Sequence, residues 1–94
     1  MSGACPRYGF EVYLTPRAGI ARDAFATLRA NLLADVIEPN ELTHTGGGEP
    51  AARYTLSRQG MQATEADREL VRRWADAHAA ELSVEIGPLV DLDA

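Results

Sequence analysis

The side chains with the widest chemical reach in this chain are its arginines: all nine basic residues are arginine and none is lysine. A guanidinium presents a fixed fork of donors that matches phosphate and carboxylate oxygens. Arg17 lies in Thr15-Pro16-Arg17-Ala18-Gly19, between an alternating stretch and a helical one. Backbone N–H groups at a helix start attract anions, and Arg17 adds a charged fork to them. Tyr13 and Arg53 fall on the polar side of two alternating segments. An aromatic ring and an arginine on an open sheet can stack a base and hold a phosphate.

Other reactive types are isolated. His44, His78 and Cys5 are far apart in the sequence, whereas a metal centre needs clustered ligands at set spacing. His78 follows the apolar stripe of its segment and reads as a partly buried structural histidine. His44, beside a glycine run, reads as solvent-facing or paired across a strand. Cys5 has no predicted base, and nucleophilic catalysis requires one within reach. Gly46-Gly47-Gly48 lacks the following Lys-Ser/Thr of a phosphate loop and does not open a helix, so it reads as a mobile hairpin tip. No catalytic residue, metal ligand or cofactor site is expected.

The elements that must position these residues follow from periodicity. Residues 8–15 alternate, with Tyr8, Phe10, Val12 and Leu14 on one face, as in a half-buried strand. Residues 20–38 carry a stripe of Ala21, Phe25, Leu28, Leu32 and Val36, widened by Leu33 and Ile37. This predicts a helix about 28 Å long. It runs into Val36-Ile37-Glu38-Pro39-Asn40. Proline lacks an N–H and clashes with the preceding turn, so the helix stops there; Asn40 suits the left-handed turn beyond. A strand is expected over residues 41–45 and another over 51–58, joined as a hairpin.

Thr64-Glu65-Ala66-Asp67 fits an N-cap and capping box. Ala66, Leu70, Val71, Trp74, Ala75 and His78 then mark the buried side of a second helix. A final strand spans residues 83–86, bends at Gly87-Pro88, and continues from Leu89 to Asp93 along an edge. The order β-α-β-β-α-β predicts an α+β, ferredoxin-like fold, with two helices on one face of a four-stranded antiparallel sheet. Glu11, Tyr13, Arg53, Thr55 and Ser57 are expected on the open face. Dimerisation through that face or an edge strand is an alternative use of it.

At 94 residues the chain has room for one core. We expect a short tail over residues 1–7 and a single domain over 8–94. No apolar run reaches the ~20 residues of a membrane span, the start has no secretion-signal pattern, and one cysteine forms no internal disulfide. These features predict a cytoplasmic protein. The net charge of −5 is uneven. Residues 61–94 carry eight acids against three arginines, while residues 1–60 balance.

The ordered set Gly9-Phe10-Glu11-Val12, Val36-Ile37-Glu38-Pro39-Asn40, Glu41-Leu42, Gly60-Met61, Thr64-Glu65, Val71-Arg72-Arg73-Trp74 and Leu89-Val90-Asp91 closely resembles the YggL-like proteins of proteobacteria. The likeness covers residues 9–92. It implies a small cytoplasmic, non-enzymatic factor that binds the large ribosomal subunit, with a role in ribosome assembly among the options. It transfers no catalytic residue. Better-known members carry a lysine- and arginine-rich N-terminal segment; Met1 to Tyr8 here hold only Arg7 as a basic residue.

Contact is therefore expected from Arg7, Arg17, Arg53 and Arg58 to rRNA phosphates, aided by Tyr13, or from acids of the second helix (Glu69, Asp76, Glu81) to a basic ribosomal protein. The alternatives are a protein-interaction or homo-oligomeric module without RNA contact, and a small anion-processing enzyme at Arg17. The last faintly resembles acylphosphatases but lacks their glycine-rich cradle.

Overall fold

The computed structural model describes residues 7–58 and 62–92. Cys5 and the rest of the 1–6 tail, Gly60-Met61 and Asp93 lie outside the described residues. Strand β1 (Tyr8–Pro16) leads into helix α1 (Arg22–Leu32), whose end continues as a π-helical turn, Leu33–Ile37. Hairpin β2 (Leu42–Gly47) and β3 (Ala52–Arg58) follows, then helix α2 (Glu65–Ala77), strand β4 (Leu82–Ile86) and the short β5 (Val90–Asp91). The sheet order is β2-β3-β1-β4, with β5 also on β1, and every pairing is antiparallel. In each β-α-β unit, a strand from the other unit lies between the two paired by the crossover.

Alternation on β1 and β3 decides where the core forms. Phe10, Val12, Leu14, Ala52, Tyr54 and Leu56 are all buried. They join Phe25, Leu28, Leu32, Val36 and Ile37 from the first helical segment and Val71 and Trp74 from α2 in one cluster. Both helices therefore cover the same side of the sheet, while Glu11 and Tyr13 of β1 are partly exposed and Thr15 exposed on the other side.

Three details differ from the sequence-based expectation. Ala21 is exposed and serves as the N-cap of α1 instead of joining its buried stripe. The long helix closes through a wider turn, in which the Glu38 N–H donates to the Leu33 carbonyl at 2.9 Å. Pro39 offers no N–H, and a proline ring collides with the carbonyl four residues back in a regular helix. Asn40 is not the left-handed residue; Glu41 is, at φ 56°. Asn40 instead turns its side-chain amide back and donates to the Val36 carbonyl at 2.7 Å, closing the helix end.

The predicted bend at Gly87-Pro88 is present, and β5 resumes pairing with β1 as Tyr8↔Asp91 and Gly9↔Val90. Gly9 is needed at that junction. A Cβ there would lie 2.5 Å from the Leu56 carbonyl oxygen and 2.6 Å from Leu92 Cδ1. No helix among the described residues is long and apolar enough to cross a membrane.

Candidate nucleic-acid interface

The open face of the sheet is built by register. Tyr13 sits between Arg53 of β3 and Glu85 of β4, and Glu11 lies opposite Thr55. The Tyr13 hydroxyl donates to Glu11 Oε1 at 2.8 Å. Arg53 Nε lies 3.7 Å from Glu11 Oε2, with its side chain 64% exposed. Glu11 thus holds the ring and the guanidinium on either side of one carboxylate. Thr45↔Thr55 and Thr43↔Ser57 extend the face as a hydroxyl ladder toward the β2 edge. Ser57, expected to be open, is only 8% exposed. Its hydroxyl shares a 2.8 Å hydrogen bond with that of Thr43, which also lies 3.2 Å from the Ser57 carbonyl.

Arg7 and Arg17 sit away from this centre. Arg7 opens the described chain, and its carbonyl accepts the Leu92 N–H at 2.8 Å. Arg17 turns toward the end of α2. Its Nε donates to the Ala79 carbonyl at 2.6 Å, and its backbone N–H donates to that of Glu81 at 2.9 Å. Arg17 Nε is thus engaged by the turn that follows α2.

Arg58 is engaged inside the fold. Its Nε donates to Asp67 Oδ2 at 3.0 Å, its Nη2 to Asp67 Oδ1 at 2.6 Å, and its Nη1 to the Asn40 carbonyl at 2.8 Å. Asp67 is 1% exposed. It replaces Ala66, which is exposed, on the buried side of α2. The capping box is complete, with the Thr64 N–H donating to Asp67 Oδ2 at 2.9 Å and the Asp67 N–H to the Thr64 hydroxyl at 3.4 Å. Burial pushes the Asp67 carboxyl up, but the Arg58 fork, the Thr64 N–H and the nearby positive charge outweigh it, so the pKa lies below the ordinary aspartate value. The bond to Asp67 raises the Arg58 pKa in turn, against a smaller opposing effect of burial. Val36 and Ile37 are buried, while Asn40 closes the helix and accepts from Arg58. The Val-Ile-Glu-Pro-Asn run is thus a structural junction.

Three arginines that sequence reasoning left without a role carry contacts of their own. Arg68 donates from Nε to the Gly87 carbonyl at 2.9 Å and from Nη1 to Glu65 at 2.7 Å, tying α2 to the end of β4. Arg22 and Arg29 of α1 converge on Glu49 at the tip of the β2–β3 hairpin. No local pattern announces either arrangement, since the partners lie between 19 and 27 residues away, Glu65 excepted.

His78 lies half-buried against Trp74, with ring centroids 4.5 Å apart, as expected of a packing residue. His44 is exposed and meets the edge of Tyr54 at 5.9 Å. Among the described residues no three of His, Cys, Asp and Glu gather as metal ligands. The family model described as YggL 50S ribosome-binding protein matches residues 4–93. No curated protein and no solved structure matches the chain.

Proposed function

Because this chain belongs to the family of YggL 50S ribosome-binding proteins, we propose that it binds the large ribosomal subunit in the cytoplasm and catalyses no reaction. The family match over residues 4–93 carries this reading. Assembly of the subunit is the setting we favour for that binding. The split β-α-β pairing is read as a ferredoxin-like arrangement, whose uncovered sheet face is the natural docking surface.

On that face Arg53 and Tyr13 are the proposed contact centre. Arg53 is largely exposed and can exchange its long 3.7 Å approach to Glu11 for a phosphate. Tyr13 would then offer its ring to a base. Arg7 and Arg17 are proposed to contribute charge at the periphery. Arg58 is proposed to act indirectly, by fixing the end of β3, since its Nε, Nη1 and Nη2 already donate within the fold.

One observation favours a second reading. Glu11 and Glu85 flank Tyr13 on the same face, and such carboxylates suit a basic ribosomal protein better than RNA. Cosedimentation of the tagged protein with purified large subunits tests the function. Binding at low salt is expected. Steep loss as salt rises supports phosphate contact. Absence of binding at low salt refutes the proposal.

A further inference from the structure

The hairpin tip supplies a carboxylate to two arginines of α1. Arg22 Nε donates to Glu49 Oε2 at 3.0 Å, and Arg29 Nη2 lies 3.5 Å from Glu49 Oε1. Arg22 and Arg29 stand seven residues apart, two turns along one side of the helix. The Arg22 side chain is 84% exposed, whereas that of Arg29 is 22% exposed. The Arg29 guanidinium lies over the Phe25 ring, 5.3 Å from its centroid. Its Nε is buried and has no acceptor. Beside these groups lies a cavity of about 380 Å³ lined by Pro16, Ile20, Arg22, Phe25, Glu49 and Pro50.

The chemistry of this corner is unbalanced. Two forks share one carboxylate, and one buried donor has nothing to donate to. Buried N–H groups normally find a partner. A backbone phosphodiester carries its charge on two non-bridging oxygens, as a carboxylate does, so it can take the place of Glu49 between the two forks, and arginine matches it bidentately. The cavity wall of Pro16, Phe25 and Pro50 offers an apolar surface to the sugar or base attached to such a phosphate. Exposed ion pairs are weak, so rotation of the Glu49 side chain is a modest barrier to exchange.

We propose that Arg22 and Arg29 form a binding site for a phosphodiester of an RNA backbone, and that Glu49 is its internal competitor. This rests on the reading that the protein meets rRNA, but the site is separate from the sheet face. The Gly46–Gly48 backbone places the competitor. These glycines have φ of +104°, +140° and +133°, and a Cβ on Gly46 would collide with the Arg53 carbonyl oxygen. The tip therefore takes a conformation that side-chain-bearing residues rarely adopt, and in it Glu49 faces α1.

The test is fluorescence anisotropy of a labelled ten-nucleotide polyuridine with the whole protein, across a salt series. Glu49→Gln is expected to bind at least threefold more tightly than the parent. Its log–log salt slope should steepen by about 0.7, the single-strand value per phosphate gained. Adding Arg29→Ala to Glu49→Gln should cancel the gain. Unchanged or weaker binding by Glu49→Gln overturns the proposal. If that variant loses its near-ultraviolet dichroism, Arg22→Ala decides, because so exposed a side chain supports no core. A threefold or greater loss sustains the site, and unchanged binding overturns it. Inorganic phosphate that binds as tightly as the oligonucleotide, measured by calorimetry, would overturn the RNA assignment in favour of free phosphate. Wild-type cosedimentation with large subunits is scored separately. Its failure sinks the ribosomal reading while the oligonucleotide series still decides this one.

Discussion

Arg58 closes on Asp67 with both arms of its fork, at 3.0 and 2.6 Å, while its third donor reaches the Asn40 carbonyl at 2.8 Å. One side chain thereby joins the end of β3, the turn after the first helical segment and the first turn of α2. Arg58→Ala would leave a buried carboxylate facing no cation. With the Arg58 side chain 24% exposed, water recovers part of the loss. We expect a destabilisation of about 2–3 kcal/mol. At roughly 4–8 °C per kcal/mol, the melting temperature should fall by about 10–20 °C. Arg58→Lys should restore only part of it, because an ammonium cannot replace a bidentate fork. Scanning calorimetry showing an unchanged transition for Arg58→Ala would refute this assignment.

The same pair sets an acid limb. The folded-state pKa of Asp67 is lowered, so its stabilisation is fully present above the unfolded aspartate value of about 3.9 and is lost as pH falls through the lower folded value. Arg58, with its pKa raised, stays protonated throughout and adds no pH dependence in this window. Urea midpoints between pH 7 and pH 2 should therefore fall below about pH 4. Asp67→Asn should flatten that limb while lowering the plateau. A parallel limb in the variant would show that other carboxylates govern acid unfolding.

Gly9 is fixed by approach. Its missing Cβ would meet the Leu56 carbonyl oxygen at 2.5 Å and Leu92 at 2.6 Å. Leu92 can rotate away, but the β3 backbone cannot without losing the Phe10↔Leu56 pairing. Gly9→Ala should cost about 1–3 kcal/mol. It should also speed amide exchange at Leu92, whose N–H donates to Arg7. Adding Leu92→Ala should relieve only the side-chain half of the conflict. Wild-type exchange at Leu92 in Gly9→Ala would show that the edge tolerates a methyl group.

Ribosome binding separates ring from hydroxyl on the open face. Tyr13→Phe removes the bond to Glu11 but keeps the ring, and should cosediment with large subunits within about twofold of the parent. Tyr13→Ala should weaken binding by roughly 1–3 kcal/mol if the ring stacks a base. Arg53→Ala should weaken binding and reduce the salt slope by about one. Equal behaviour of all three variants would move the contact off this face.

Local spacing was enough to read the element order and most of the core. Alternation on residues 8–15 placed Phe10, Val12 and Leu14, and the stripe over residues 20–38 placed Phe25, Leu28, Leu32 and Val36. Burial repeats with the period of the backbone, so it leaves a mark in the sequence. Pro39 and the Thr64–Asp67 box marked a helix end and a helix start because the backbone donors they remove or cap lie within four residues. The ordered family runs likewise needed no coordinates.

Contacts between distant segments left no such mark. The sequence offered Arg58 as a cation for rRNA and Asp67 as the acid of a capping box, and only the placement of β3 beside α2 turned them into a pair. The same holds for Glu49 with Arg22 and Arg29, and for Ser57, which its neighbouring strand shields. Periodic burial is decided residue by residue along one element. Which charge meets which is decided by the neighbours a strand acquires, because desolvation and hydrogen-bond geometry act only once the elements have packed.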